Sequence, residues 1–172
     1  WGAAEIGGFV TDDNSSDRFH ELMVRWYQYG VFTPVFRTHG HRPNNEPWTI
    51  GGDTYPHIRA ALLLRERLRP YIMDQMDLAS ERGIPPMRPL FFDFPDDPSA
   101  VEIEDQFLFG SDLLVAPIME YEARSRHVYL PLGTSWTDVW TKEEHIGGQI
   151  VHADAPLERI PVFVRGDHSA LV

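Results

Sequence analysis

The pattern of apolar and polar positions changes character once along the chain. In the first part the apolar residues recur at helical spacing. The stretch RFHELMVRWYQYG sets Phe19, Leu22, Met23 and Trp26 three and four residues apart, which predicts an amphipathic helix with Gly30 at its C-terminal cap. The run before it, TDDNSSD (Thr11 to Asp17), is rich in residue types that cap helix N-termini. A second helix is expected from Thr54 or Tyr55, with Pro56 in its first turn, and continues through IRAALLLRERL. Pro70 should kink or divide it, because proline lacks the amide hydrogen and crowds the preceding turn; YIMDQMDLASERG then carries a helix to Gly83. Two short apolar pieces read as strands. One is Trp1 to Ala4, stopped by Gly7-Gly8, and the other is VFTPVFRT, Val31 to Thr38.

After IPPMRP, Ile84 to Pro89, the helical period disappears. Short apolar or alternating runs follow: RPLFFDF, QFLFG, LLVAPI, RHVYLP, WTDVW and RIPVFVRG. Pro, Gly, Asp and Ser clusters separate them at roughly the 8–12-residue spacing of an antiparallel β-sandwich. A boundary near residue 85 is therefore expected, with an α/β part over 1–85 and an all-β part over 86–172. In the first part the order is strand, helix, strand, helix. Glu5 and His39 fall at matching strand ends, one βα period of a parallel sheet apart. Two such units cannot cover a parallel sheet, and a (β/α)8 barrel needs eight units and about 250 residues. Residues 1–85 thus read as the last two strand–helix units of a TIM barrel. Such a piece exposes strand edges and apolar faces, so it should need the missing N-terminal part of the barrel or self-association.

Charge and composition remove some function classes. A net charge of −11 leaves no basic stripe for phosphates, which argues against nucleic acid. No apolar run nears the ~18 residues of a membrane span, and no basic, apolar leader is expected at the start. With 0 cysteines, disulfides and thiolate metal sites are excluded.

Three segments carry candidate chemistry. In EIGGF, Glu5 to Phe9, a carboxylate stands at a strand's C-terminal end, where barrels carry their sites. Gly7 and Gly8 would let the backbone turn closely around a ligand, and Phe9 would stack on it; the alternative is a plain turn with a solvated glutamate. In FRTHGH, Arg37 and His39 point to one side of an extended strand, and Arg37 could bridge Glu5 with a bidentate contact. The alternatives are a structural hydrogen bond for His39 and an exposed loop position for His41. A metal site on His39 and His41 is poorly supported, since there is no H-E-x-x-H helix and no obvious third ligand at useful spacing, and adding Asp53 does not rescue it. The third segment, PNNEPW, offers Trp48, either as a flat platform for a sugar face or as a cover for its own loop. Asp105 and Asp138, in the β-rich part, read as structural turn and edge residues.

Taken together, EIGGF, RWYQYGVFTPVFRTHG, EPW, LRPYI, GIPPMRPLFFDFPDD, DQFLFGSDLLVAPI, VYLPLGTSWTDVW and LERIPVFVRGD resemble glycoside hydrolase family 31 in order and spacing over nearly the whole chain. The family comprises retaining α-glucosidases and α-xylosidases with a (β/α)8 barrel followed by β-sandwich domains. By the resemblance, the chain would be the barrel's seventh and eighth units plus the proximal C-terminal sandwich. Glu5, Phe9, Arg37 and His39, with Trp48, would bind an oligosaccharide substrate, and no metal or organic cofactor is implied. Glu5 departs from the family's usual aspartate by one methylene. The family's nucleophile and acid/base aspartates come from earlier strands, and neither motif is present, so the chain alone should not hydrolyse a glycoside. The FRTHG form leans toward the α-xylosidase branch. The reading from another class is a non-catalytic structural or carbohydrate-binding module.

Overall fold

The computed structural model describes residues 4–10, 14–42 and 45–166. Three long helices come first: α1 (Asp17–Gly30), α2 (Thr54–Arg67) and α3 (Arg69–Arg82). Ser16 caps α1 by accepting from the Phe19 amide at 3.3 Å; Thr11 to Asp13 and Trp1 to Ala3 lie outside the described residues. Pro70 divides the second helical stretch as expected, with Leu68 between α2 and α3, and α3 stops at Gly83 in the left-handed conformation. Gly30 has a different role from the expected cap. It is the last helical residue, and a Cβ there would meet the Phe36 ring at 2.6 Å and Ile6 Cδ1 at 2.7 Å. Glycine is required at that position by close packing.

The expected strand Val31 to Thr38 is reduced to its end. Val31 to Thr33 continue as turns from α1, with the Phe32 and Thr33 amides donating to the Tyr29 and Gly30 carbonyls at 3.0 and 3.2 Å. Pro34 has no amide hydrogen to give a ladder, and bridges fall only at Val35 and Thr38 of this run, that of Thr38 parallel to Ile6. The Thr38–Ile6 bridge is the parallel neighbour relation expected of two successive barrel strands.

The second part is antiparallel. A six-stranded sheet runs in the order β1 (Met87–Arg88), β2 (Phe107–Phe109), β3 (Leu113–Val115), β8 (Val162–Arg165), β5 (Ser135–Asp138), β6 (Glu144–Ile146). A two-stranded sheet pairs β4 (Ser125–Leu130) with β7 (Gln149–Asp154). RPLFFDF, expected as a strand run, splits into β1 and a short helix α4 (Leu90–Asp93). Leu90 and Phe94, four apart, are buried while Phe91 and Phe92 are exposed, which is a helical and not an alternating pattern. A further short helix, α5 (Pro98–Glu102), starts where the Asp97 side chain accepts from the Ser99 amide.

The reason β2, β3 and β8 read as unbroken apolar runs is that both their faces are covered. Phe107, Phe109, Leu113, Val115, Val162 and Val164 pack with Met23, Phe32, Leu68 and Tyr71 of the helical part. Leu108, Leu114 and Phe163 pack the other way, against Trp136, Val128 and Leu130 of the sandwich. The larger sheet is thus the middle layer of the molecule, shared by both halves.

A polar seam reinforces this junction. Glu21, Arg25 and Gln28 lie on one side of α1 and are all buried. Arg25 donates to the carbonyls of Ala155 (2.8 Å), Arg159 (2.8 Å), Ala123 (3.0 Å) and Pro156 (3.1 Å). Gln28 donates to Leu157 O at 2.7 Å, and Glu21 accepts both guanidinium nitrogens of Arg124. Burial lowers the Arg25 pKa to about 10, with Glu21 acting in the opposite sense, so the group stays cationic at neutral pH. Asp105 and Asp138 are structural, as expected. Asp105 pairs with Arg126, and Asp138 accepts from the Trp140 and Thr141 amides at 2.7 and 3.1 Å.

Candidate functional site

Two loops meet at the end of the Ile6–Thr38 bridge. The Gly8 amide donates to Glu5 O at 2.8 Å, closing a tight turn in which Gly7 (φ +86°) and Gly8 (φ +77°) both occupy the left-handed region. The His41 amide donates to Phe9 O at 2.7 Å, and Arg42 donates to Ile6 O at 2.9 Å and to Gly8 O. At Gly40 an added Cβ would lie 2.8 Å from Phe9 O and 2.9 Å from Gly8 O. The backbones approach too closely there for any side chain, so the two loops are interlocked.

Interlocking brings Glu5 and His39 together. His39 Nδ1 lies 2.9 Å from Glu5 Oε1, although the residues are 34 apart in sequence. Because an ionised carboxylate can only accept, Nδ1 is the donor in that pairing, which leaves Nε2 for a second partner. Arg37 Nη2 is 3.8 Å from the same oxygen. At that distance the bidentate Arg37–Glu5 contact that the sequence allowed is not formed; the pair is a loose one between partly solvated side chains. An exposed pair of this kind contributes about 0–1 kcal/mol to stability. The Phe9 ring stands 5.5 Å from the His39 ring at 53° and is 48% exposed, an aromatic wall open to solvent.

Trp48 takes a separate position. It sits on a single 3-10 turn, Pro47–Thr49, held by the Thr49 hydroxyl and amide donating to Glu46 O at 2.7 and 2.9 Å. The indole is 68% exposed, so it does not cover its own loop. His41 is exposed in its loop, as one of the expected alternatives had it, and Asp53 precedes α2 without capping it through its side chain. Among the described residues no three His, Cys, Asp or Glu side chains converge on a point. The rim instead gathers one carboxylate, one imidazole, one guanidinium and the solvent-facing ring of Phe9. That set suits a neutral, hydroxyl-rich ligand.

Two arginines hold this rim, Arg42 buried and Arg65 partly buried, and neither stands out in the sequence. Arg42 is one; burial lowers its pKa, with Tyr27 opposing. Arg65 of α2 is the other, donating to Val31 O and Thr33 O at 2.6 Å each and to Pro34 O at 3.2 Å. Burial brings the Arg65 pKa to about 10, and its guanidinium lies 5.6 Å from the Phe36 ring centroid. It fixes the turn that delivers Arg37 and His39. Nothing periodic marks either residue, because the acceptors are loop carbonyls distant in sequence.

Comparison with known proteins agrees with this architecture. The model of the glycosyl hydrolases family 31 TIM-barrel domain matches residues 1–75, and that of the family 31 C-terminal domain matches residues 83–168. The chain belongs to glycosyl hydrolase family 31. It is similar to alpha-glucosidase 2 of Bacillus thermoamyloliquefaciens, with 40% identity over 94% of this chain and 20% of that protein. It is similar also to an alpha-xylosidase of Saccharolobus solfataricus, with 34% identity over 94% of this chain and 22% of that protein. Among solved structures, a family 31 alpha-xylosidase from a soil metagenome, complexed with xylose, superposes with a TM-score of 0.89 at 47% identity. That match covers 95% of this chain and 27% of the xylosidase. The chain thus spans about a fifth to a quarter of the length of these relatives, and within that span it carries the last barrel portion followed by the antiparallel C-terminal domain.

Proposed function

We propose that the chain is the C-terminal part of a retaining α-glycoside hydrolase acting on terminal α-linked xylose or glucose, to which it contributes the substrate-binding rim. The supporting observation is the 2.9 Å pairing of Glu5 with His39 across two parallel-bridged strand ends. In this reading Glu5 orients the imidazole and accepts from a sugar hydroxyl. His39 supplies the second hydrogen bond through Nε2, Arg37 adds positive charge beside the carboxylate, and Phe9 walls the pocket. Trp48 offers a flat face to a sugar ring farther out. Residues 1–85 serve as the barrel portion and 86–172 as its supporting sandwich.

Retaining hydrolysis needs a nucleophile and an acid/base carboxyl about 5–5.5 Å apart on either side of the scissile bond. The reading assigns both to the preceding barrel strands, outside this chain. The test is a chimaera in which the chain replaces the matching portion of the soil-metagenome alpha-xylosidase. The chimaera is expected to hydrolyse an aryl α-xyloside or α-glucoside, and His39→Ala to lower its kcat/KM by about 10–100-fold, the loss of one hydrogen bond to a polar substrate group. An unchanged kcat/KM in that variant would remove His39 from the rim. Turnover by the 172-residue chain alone would overturn the division of labour.

The 68% exposure of Trp48 favours one second reading, a non-catalytic carbohydrate-binding module. Binding of xylo- or gluco-oligosaccharides by the chain alone, lost with Trp48→Ala and kept with His39→Ala, would select it.

A further inference from the structure

A cavity lies away from the Glu5–His39 rim. It is a groove of about 750 Å³ between α1 and the turn over residues 117–121 that links β3 to β4. Its walls carry Leu22, Trp26 and Tyr29 from the helix and Ile118, Met119 and Tyr121 from the turn, with Ala4 at its end. Leu22 is 45% exposed, Tyr121 42% and Met119 72%, an apolar stretch bordered by the charged Arg18, Glu21, Arg25 and Glu120.

Leu22, Trp26 and Tyr29 fall at helical spacing, so they form one stripe of α1. Two other sides of α1 are already occupied. Met23 and Gly30 face the first strand end, since added Cβ atoms at Gly7 and Gly30 would touch Met23 and Ile6. Another side packs on α2, its successor in the chain. In a (β/α)8 barrel the helices form a closed ring in which each lies between its predecessor and its successor. Crossovers between parallel strands are right-handed, which fixes the order around the ring. The flank of α1 that carries the groove is therefore the predecessor's flank. Ala4 at the groove's end is where the described chain enters the first strand.

We infer that this groove seats the barrel helix preceding the strand that ends at Ile6, carried on polypeptide outside these residues, with the 117–121 turn of the C-terminal domain as its second wall. The inference rests on the reading above that a preceding barrel portion exists, which the 20–27% coverage of relatives supports. It goes further in one respect. The C-terminal domain grips the barrel on two successive helices, α1 through the Glu21–Arg25–Gln28 seam and the predecessor through Met119 and Tyr121. The occupant is an amphipathic helix with an apolar stripe aimed at Trp26.

The probe is a tagged polypeptide consisting of the part of the soil-metagenome alpha-xylosidase that precedes the matching portion, co-expressed with this chain. The wild-type chain is expected to co-purify with it, and the double variant Leu22→Asp/Met119→Asp to be captured at least tenfold less. Both positions are substantially exposed, and circular dichroism of the variant matching wild type shows that folding is intact. Ile150→Asp, on the far sheet and 65% exposed, should leave capture unchanged. Absence of capture for wild type, or capture indifferent to the double variant, overturns the inference. So does a dimer of the chain alone that the double variant dissociates, because the groove would then belong to a second copy. A captured complex that turns over no glycoside sinks the functional reading and leaves the groove assignment standing.

Discussion

The two halves of the molecule satisfy their backbones by different means. In the C-terminal half, carbonyls and amides meet across antiparallel ladders, as in the β2–β3–β8 register of Phe107 with Val115 and Val115 with Val162. In the N-terminal half the described strand ends share one bridge, Ile6 with Thr38. There the loop carbonyls are met by guanidinium groups: Arg42 on Ile6 and Gly8, and Arg65 on Val31, Thr33 and Pro34. Arg25 does the same at the junction, reaching across to Ala155, Pro156 and Arg159. A buried carbonyl needs a donor whichever way it comes. Where ladder partners are scarce, a fork of five donors on a long side chain substitutes for a strand.

The largest loss of stability is expected in the sheet. Trp136 is fully buried on the sandwich side, its Nε1 donating to Pro131 O at 3.0 Å. Trp136→Ala should cost about 3–5 kcal/mol, read as a lowered urea midpoint with an unchanged slope. Next comes the junction. Arg25→Ala leaves several carbonyls without donors and should cost about 3 kcal/mol. If the halves unfold as one unit, near-UV and far-UV transitions will remain coincident in that variant; separated transitions would show that the seam, not the shared sheet, couples them.

A third test turns on acid. Burial works to raise the Asp97 carboxyl, but donation from the Leu132 amide, the Tyr129 hydroxyl and the Ser99 amide outweighs it and holds the pKa below the usual range. A carboxyl depressed on folding adds stability that is complete above its unfolded value, about 3.9, and is lost as pH falls through the folded one. The melting temperature should therefore drop below about pH 4, and Asp97→Asn should start lower at pH 7 but fall less steeply in acid. The smallest effect on stability is expected at the rim. His39→Ala should change the unfolding free energy by no more than about 1 kcal/mol, because the Glu5 pair is partly solvated. A much larger loss in a urea titration would make that pair a structural strut.

How far the sequence foretold this depends on whether the information is local. Ser16, Pro70 and Gly83 act within a few residues of their own position, so the helix limits could be read directly. The runs holding FLF, LLV and VFV announced strands, while the cover on both their faces emerged only in the fold. Glu5 and His39 could be paired because one strand–helix period separates them. RPLFFDF misled because the Leu90–Phe94 spacing of four is hidden by the exposed Phe91 and Phe92 between them. The Arg37 fork failed because alternation fixes the side on which a residue points and not the final distance, which here is 3.8 Å. Glu21, Arg25 and Gln28 make a polar stripe at helical spacing, a pattern that an ordinary solvent-facing side would show as well. Arg42 and Arg65 left no such pattern.

The middle layer has a consequence for any attempt to treat the halves as interchangeable parts. Phe107 and Phe109 belong to the helices as much as Leu108 belongs to the sandwich. A cut between the matched segments, after residue 75 and before residue 83, would not release two tidy modules. It would strip one side of a sheet bare and leave the helices without a floor. Successful transplants of this barrel portion onto other scaffolds will be those that move it together with the sheet beneath it.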